Sequence, residues 1–96
     1  MTDMSTEKLI EVECEYITNL LVSKNHAYGD SALDPVRIFS SASAVEQLMV
    51  RIDDKISRIV RGTEYPDEDT VLDLIGYLVL YRVYLRRQND NGHDPL

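Results

Sequence analysis

Between Val71 and Leu85 the chain is apolar on almost every helical face, and this stretch constrains the fold more than any other. A helix without a polar side must lie at the centre of its domain or be covered by another subunit. The chain has 96 residues, near the lower end of what buries a core unaided, so both routes bear on the architecture. Asp73 interrupts the stretch and puts a carboxylate where a charge is costly unless paired or ligated.

Two more segments carry helical spacing. Leu9, Ile10, Val12, Tyr16, Ile17, Leu20 and Leu21 form an apolar stripe on a helix expected from about Glu7 to Ser23. Ser5 or Thr6 is its cap, and Glu7 suits the positive end of its dipole. Ser43-Ala-Val-Glu46 is a capping box and Gly62 a natural stop, which bound a second helix. Its expected inward face is Val45, Leu48, Met49, Ile52, Ile56, Ile59 and Val60. The third helix is expected from near Asp67 to about Gln88, with Asp69 suited to cap it. Lys24 to Phe39 is rich in Asn, Gly, Asp, Ser and Pro and reads as a long loop, a kind of segment that often carries function. The expected fold is therefore all-α: a compact bundle of three main helices with a long loop between helices 1 and 2, completed by homo-oligomerisation through helix 3. Residues 1–88 read as one helical domain and residues 89–96 as a disordered polar tail.

Charge and composition narrow the function classes. A formal charge of −7 argues against a nucleic acid polymer as the main ligand, because polyanion binding needs a net basic face. It leaves room for a small phosphorylated ligand held by a few local cations. Cys14 is the single cysteine, which excludes an intramolecular disulfide and a cysteine-based zinc site. No charged-then-apolar leader and no convincing membrane span is apparent, so a cytoplasmic protein is the expectation. There is no glycine-rich phosphate loop, GxSxG or HExxH.

Two groups of side chains suit phosphate and base recognition. Lys24, Asn25, His26, Tyr28 and Ser31 are donor-rich, with Lys24 fit to meet phosphate and Tyr28 to stack on a base. Arg51, Lys55 and Arg58 share one stripe of the second helix and suit an anion, although a solvated, ion-paired face is the commoner use of such a stripe. Asp53, Asp54 and Asp73 are the candidates for Mg²⁺, which takes carboxylate oxygens in near-octahedral geometry and keeps several waters. Asp73 reads equally well as the partner of Lys55, Arg51 or Arg58. Tyr77, Tyr81 and Tyr84 recur at helical spacing and read as core or subunit interface.

Three runs taken together, Lys24-Asn-His-Ala-Tyr-Gly-Asp-Ser31, Arg51-Ile-Asp-Asp-Lys-Ile-Ser-Arg58 and Asp69-Thr-Val-Leu-Asp-Leu-Ile-Gly-Tyr77, resemble the small nucleotide-modification-associated domains of phages and prophages. That family shows K-N-x-x-Y-G-x-S, R-I-x-x-K-x-x-R and D-T-x-x-D-L-x-x-Y in this order. The resemblance spans roughly residues 24 to 84 and implies nucleotide metabolism in a phage setting. More distantly, the chain is similar to the all-α nucleoside triphosphate pyrophosphatases of the MazG and dUTPase type, whose E-E-x-x-E and E-x-x-D helices hold Mg²⁺. Asp53, Asp54 and Asp73 match that pattern in charge, while Ser57 and Thr70 stand where it has acids. The metal–carboxylate motif is thus incomplete, and no cofactor is expected unless the chain is an enzyme, when Mg²⁺ would be. The leading expectation is a phage-type binder of a nucleotide or nucleotide-derived small molecule, a cyclic nucleotide among them, that sequesters a host immune signal in the host cytoplasm. The alternatives are a Mg²⁺-dependent nucleotide pyrophosphatase and a protein-interaction module.

Overall fold

The computed structural model describes residues 4–35, 37, 39–63, 66 and 68–90, and among these it has three helices and no strand. They are α1 (Thr6–Ala27), α2 (Ala44–Arg61) and α3 (Thr70–Asp90). The all-α bundle with a loop between its first two helices is thus the architecture. Each start is set by a side-chain oxygen. The Ser5 and Ser43 hydroxyls accept from the backbone N–H of Lys8 and Glu46, both at 3.1 Å. Asp69 Oδ1 accepts from Leu72 N–H at 2.9 Å, the capping role its sequence position suggested. The ends of α1 and α2 are set by glycine. Gly29 and Gly62 adopt φ +63° and +68°, a region that costs L-residues with a Cβ. The following N–H groups then turn back, Asp30 to the Asn25 carbonyl and Thr63 to the Arg58 carbonyl, both at 3.1 Å.

Several boundaries move. The stretch from Lys24 was expected as loop, but α1 continues through Ala27, so Lys24, Asn25 and His26 stand in its last turn. Cations are favoured there by the helix dipole, and termination waits for Gly29. Helix α3 starts at Thr70 and runs to Asp90, so Asn89 and Asp90 belong to it. Asp67 and the rest of the expected tail, residues 91–96, lie outside the described residues.

Helices α2 and α3 form an antiparallel pair. Arg51 lies over Tyr77, Lys55 meets Asp73, and Arg58 meets Glu68, so positions descend on α3 as they ascend on α2. The inward face of α2 is narrower than its apolar pattern. Leu48, Ile52 and Lys55 are buried, Leu48 to 1% exposure, whereas Ile56, Ile59 and Val60 are exposed. The pairing with α3 decides which stripe turns inward, and it turns Lys55 in toward Asp73 at the expense of Val60 and its neighbours.

Helix α1 leans on α3 alone; among the described residues it makes no close approach to α2. Its half-buried residues are Ile17, Leu20 and Leu21, one face of a turn. Leu21 reaches α3 at Gly76, where a Cβ would sit 2.9 Å from Leu21 Cδ2, so the missing side chain permits the approach. Asp30 stands 4.0 Å from Arg87, which means α1 and α3 ascend together. From Met4 to Tyr16 every residue is exposed, including Leu9, Ile10 and Val12. Among the described residues no helix is long and apolar enough to cross a membrane.

Candidate functional site

Because α1 and α2 both rest on α3 without meeting, a groove opens between them with α3 as its floor. Its volume is about 280 Å³, close to the lower end of small-molecule sites. Leu72, Gly76, Tyr77 and Leu80 of α3 make the floor, and Leu20 and Leu21 of α1 one apolar wall. Polar groups enter from three directions. The last turn of α1 and its cap give Lys24, Asn25 and Tyr28, the following loop gives Ser31, and α2 gives Arg51.

These positions depend on local chain geometry. Helical continuation through Ala27 keeps Lys24 and Tyr28 four residues apart on one face, and both line the groove. The Tyr28 N–H donates to the Lys24 carbonyl at 2.9 Å, which fixes that turn. Asp30 takes φ +64° and its carbonyl accepts from Leu33 and Asp34 at 3.2 and 2.9 Å, folding the loop so that Ser31 and Ala32 face the groove. Arg51 has its guanidinium 5.9 Å from the Tyr77 ring centre, a cation–π contact that holds it at the groove mouth.

Among the eight candidate ligand residues, Lys24, Asn25, Tyr28, Ser31 and Arg51 therefore come together. The other three do not join them. His26 is exposed in the last turn of α1 and is not part of the groove lining. Lys55 is 8% exposed, its Nζ 3.3 Å from Asp73 Oδ2. Arg58 is held by Asp54 at 3.3 Å and by Glu68, tying α2 to the segment before α3.

The carboxylates are dispersed in the same way. Asp54 faces Arg58, Asp73 faces Lys55, and Asp53 is exposed. Among the described residues no three of His, Cys, Asp and Glu gather as a metal would require. Asp54 and Asp73 are thus each paired with a cation of α2, Arg58 and Lys55. Asp73 does line the groove, its carboxylate partly open beside Lys55.

Helix α3 adds a groove residue that the sequence pattern places with the core or a subunit interface. Tyr77 belongs to the groove floor under Arg51, while Tyr81 and Tyr84 stack with ring centres 6.4 Å apart. Gly76 had a legible signal, a glycine within an apolar helix, which commonly marks a close approach. The fold and groove together define the class: an all-α protein whose three helices enclose an amphiphilic, locally cationic crevice. Comparison with known protein families, with curated proteins and with solved structures finds no match for this chain.

Proposed function

We propose that this chain binds a nucleotide or nucleotide-derived small molecule in the groove between α1, α2 and α3 and retains it unchanged. The observation that carries the reading is the meeting of Lys24, Asn25, Tyr28 and Ser31 from one side with Arg51 from the other over an apolar floor. Lys24 and Arg51 give the groove positive charge in a chain of net charge −7, and Asp73 is balanced by Lys55. That suits an anionic group at the mouth, with arginine able to grip two phosphate oxygens. Leucine walls and the exposed ring of Tyr28 suit a flat apolar-faced base. Sequestration of a host nucleotide signal, in a phage setting and in the host cytoplasm, fits a small binder of this kind. Homo-oligomerisation fits the exposed apolar faces of α1 and α3. Mg²⁺-dependent pyrophosphate hydrolysis is the lesser reading, since Asp54 and Asp73 are already paired with cations.

The test is incubation with mixed mono-, di- and cyclic nucleotides and Mg²⁺, separation by filtration, and mass spectrometry of both fractions after heat release of the bound one. An intact nucleotide on the protein, lost in Arg51→Ala with helicity retained, is the expected result. A cleaved product in the filtrate would move the reading to the enzyme. No retained nucleotide and a stable protein partner would move it to the interaction module.

A further inference from the structure

Asp73 is an anomaly in a groove built for an anion. It lines the cavity, its side chain is 28% exposed, and Lys55 Nζ holds one of its oxygens at 3.3 Å from behind. A carboxylate there repels phosphate, so a bound phosphate belongs at Lys24 and Arg51, and Asp73 must meet a different part of the ligand. An ionised carboxylate only accepts hydrogen bonds, and its two oxygens suit two adjacent N–H donors. We infer that Asp73 reads the base, and that the ligand class is a guanine nucleotide. The inference rests on the nucleotide-binding reading and names the substrate of that site.

The donor pattern of the bases decides this. Guanine presents N1–H and the N2 amine side by side, with no acceptor between them. Adenine and cytosine each set a ring-nitrogen lone pair beside their amine, which faces the carboxylate with repulsion. Uracil and thymine offer one N–H flanked by two carbonyls. Hypoxanthine keeps N1–H and lacks the amine, so it makes half the contact. Lys55 fixes one oxygen of Asp73 at 3.3 Å, which leaves the remaining lone pairs directed by the α2–α3 pairing. The cavity of about 280 Å³ is near the lower end of small-molecule sites, which suits a single small ligand unit. Tyr77, one turn from Asp73, lines the same floor with Arg51 over its ring, so the cation that suits phosphate and the carboxylate that suits the base edge stand on neighbouring turns of one groove.

The experiment is calorimetric titration of the wild-type protein with guanosine, inosine, adenosine and xanthosine 5′-monophosphates. The guanine nucleotide is expected to bind about tenfold more tightly than the inosine nucleotide and about a hundredfold more tightly than the adenosine nucleotide, reflecting one lost and then two lost or reversed hydrogen bonds to a charged acceptor. Asp73→Asn keeps the shape and an oxygen for Lys55 but replaces one acceptor with a donor. Xanthine carries a carbonyl where guanine has its amine, so this variant is expected to reverse the order and prefer the xanthosine nucleotide. Equal affinity of the wild type for all four would overturn the inference while leaving the nucleotide-binding reading intact, and would reduce Asp73 to the counter-ion of Lys55. Absence of binding to any nucleotide, in this set or in the mixed pool, would overturn both. If Asp73→Asn fails to fold, the wild-type order among the four ligands alone decides.

Discussion

Removing both partners of the Lys55–Asp73 pair should destabilise the fold by clearly less than the sum of the two single removals. Lys55 is 8% exposed, so Asp73→Ala leaves an ammonium inside the α2–α3 interface without its counter-charge. Breaking a fully buried pair in this way costs about 3–5 kcal/mol. Asp73 lies at the groove with its side chain 28% exposed, so water can reach the orphaned lysine and the expected cost falls to about 2 kcal/mol. Lys55→Met keeps the volume of the stem and leaves Asp73 facing solvent in the groove, for about 1 kcal/mol. With both changes no charge is stranded, and the double variant should lie about 1 kcal/mol below the wild type. The coupling is then about 2 kcal/mol, far above the few tenths expected of independent sites. Urea unfolding followed by circular dichroism at one fixed protein concentration measures all four forms. If the two single effects simply add in the double variant, the pair is not coupled and the account of Lys55 as a buried, charge-compensated residue is refuted.

Two glycines give contrasting expectations. Gly62→Ala forces a Cβ into φ +68° at the end of α2, and should lower stability by about 1 kcal/mol in the same urea assay. Gly76→Ala puts its Cβ 2.9 Å from Leu21 Cδ2, the mobile end of a leucine. A small Leu21 rotation relieves this, and the gain in helix propensity offsets up to about 1 kcal/mol. Stability should therefore hold, while a nucleotide that fills the groove should bind more weakly over the raised floor. A large loss of stability in Gly76→Ala would mean that Leu21 has no room to move.

How far the sequence could be read depends on which interactions are local. The ends of α2 were legible because Ser43 and Gly62 act within four residues of themselves, through the 3.1 Å cap to Glu46 and the left-handed stop. The end of α1 was misplaced because Lys24, Asn25 and His26 are polar and look like loop. Yet a lysine in the last turn is favourable, and the chain turns only where Gly29 and Asp30 adopt positive φ. Lys55 shows the opposite limit. On α2 it shares a stripe with Arg51 and Arg58, and nothing within that helix says that one cation points inward while another covers Tyr77. The register with α3, which sets Asp73 opposite Lys55, makes the distinction. The same holds for the site. Its donors were visible as residue types, but their meeting depends on α1 leaning on Gly76 without touching α2, a long-range arrangement.

That arrangement also leaves apolar surface that two different partners can cover, and the two are separable. The groove uses Leu20 and Leu21 of α1, whereas Leu9, Ile10, Val12 and Tyr16 are exposed further toward its N-terminus. The buried apolar core among the described residues is Leu48 and Ile52, so covering either face should add visibly to a small stability. A ligand present at about a hundred times its Kd adds about 2.7 kcal/mol by mass action, at constant protein concentration. A second copy over the α1 face instead makes the melting temperature fall on dilution of the protein without ligand. Since the residues involved do not overlap, the two effects should be independent. Leu9→Lys should abolish the dependence on protein concentration and leave the nucleotide-induced rise unchanged. A melting temperature constant over about a hundredfold dilution would refute self-association as the cover of α1. Loss of both effects in Leu9→Lys would instead mean that the groove forms only in the assembled state, with the α1 contact between copies holding Lys24 and Tyr28 in place against α3.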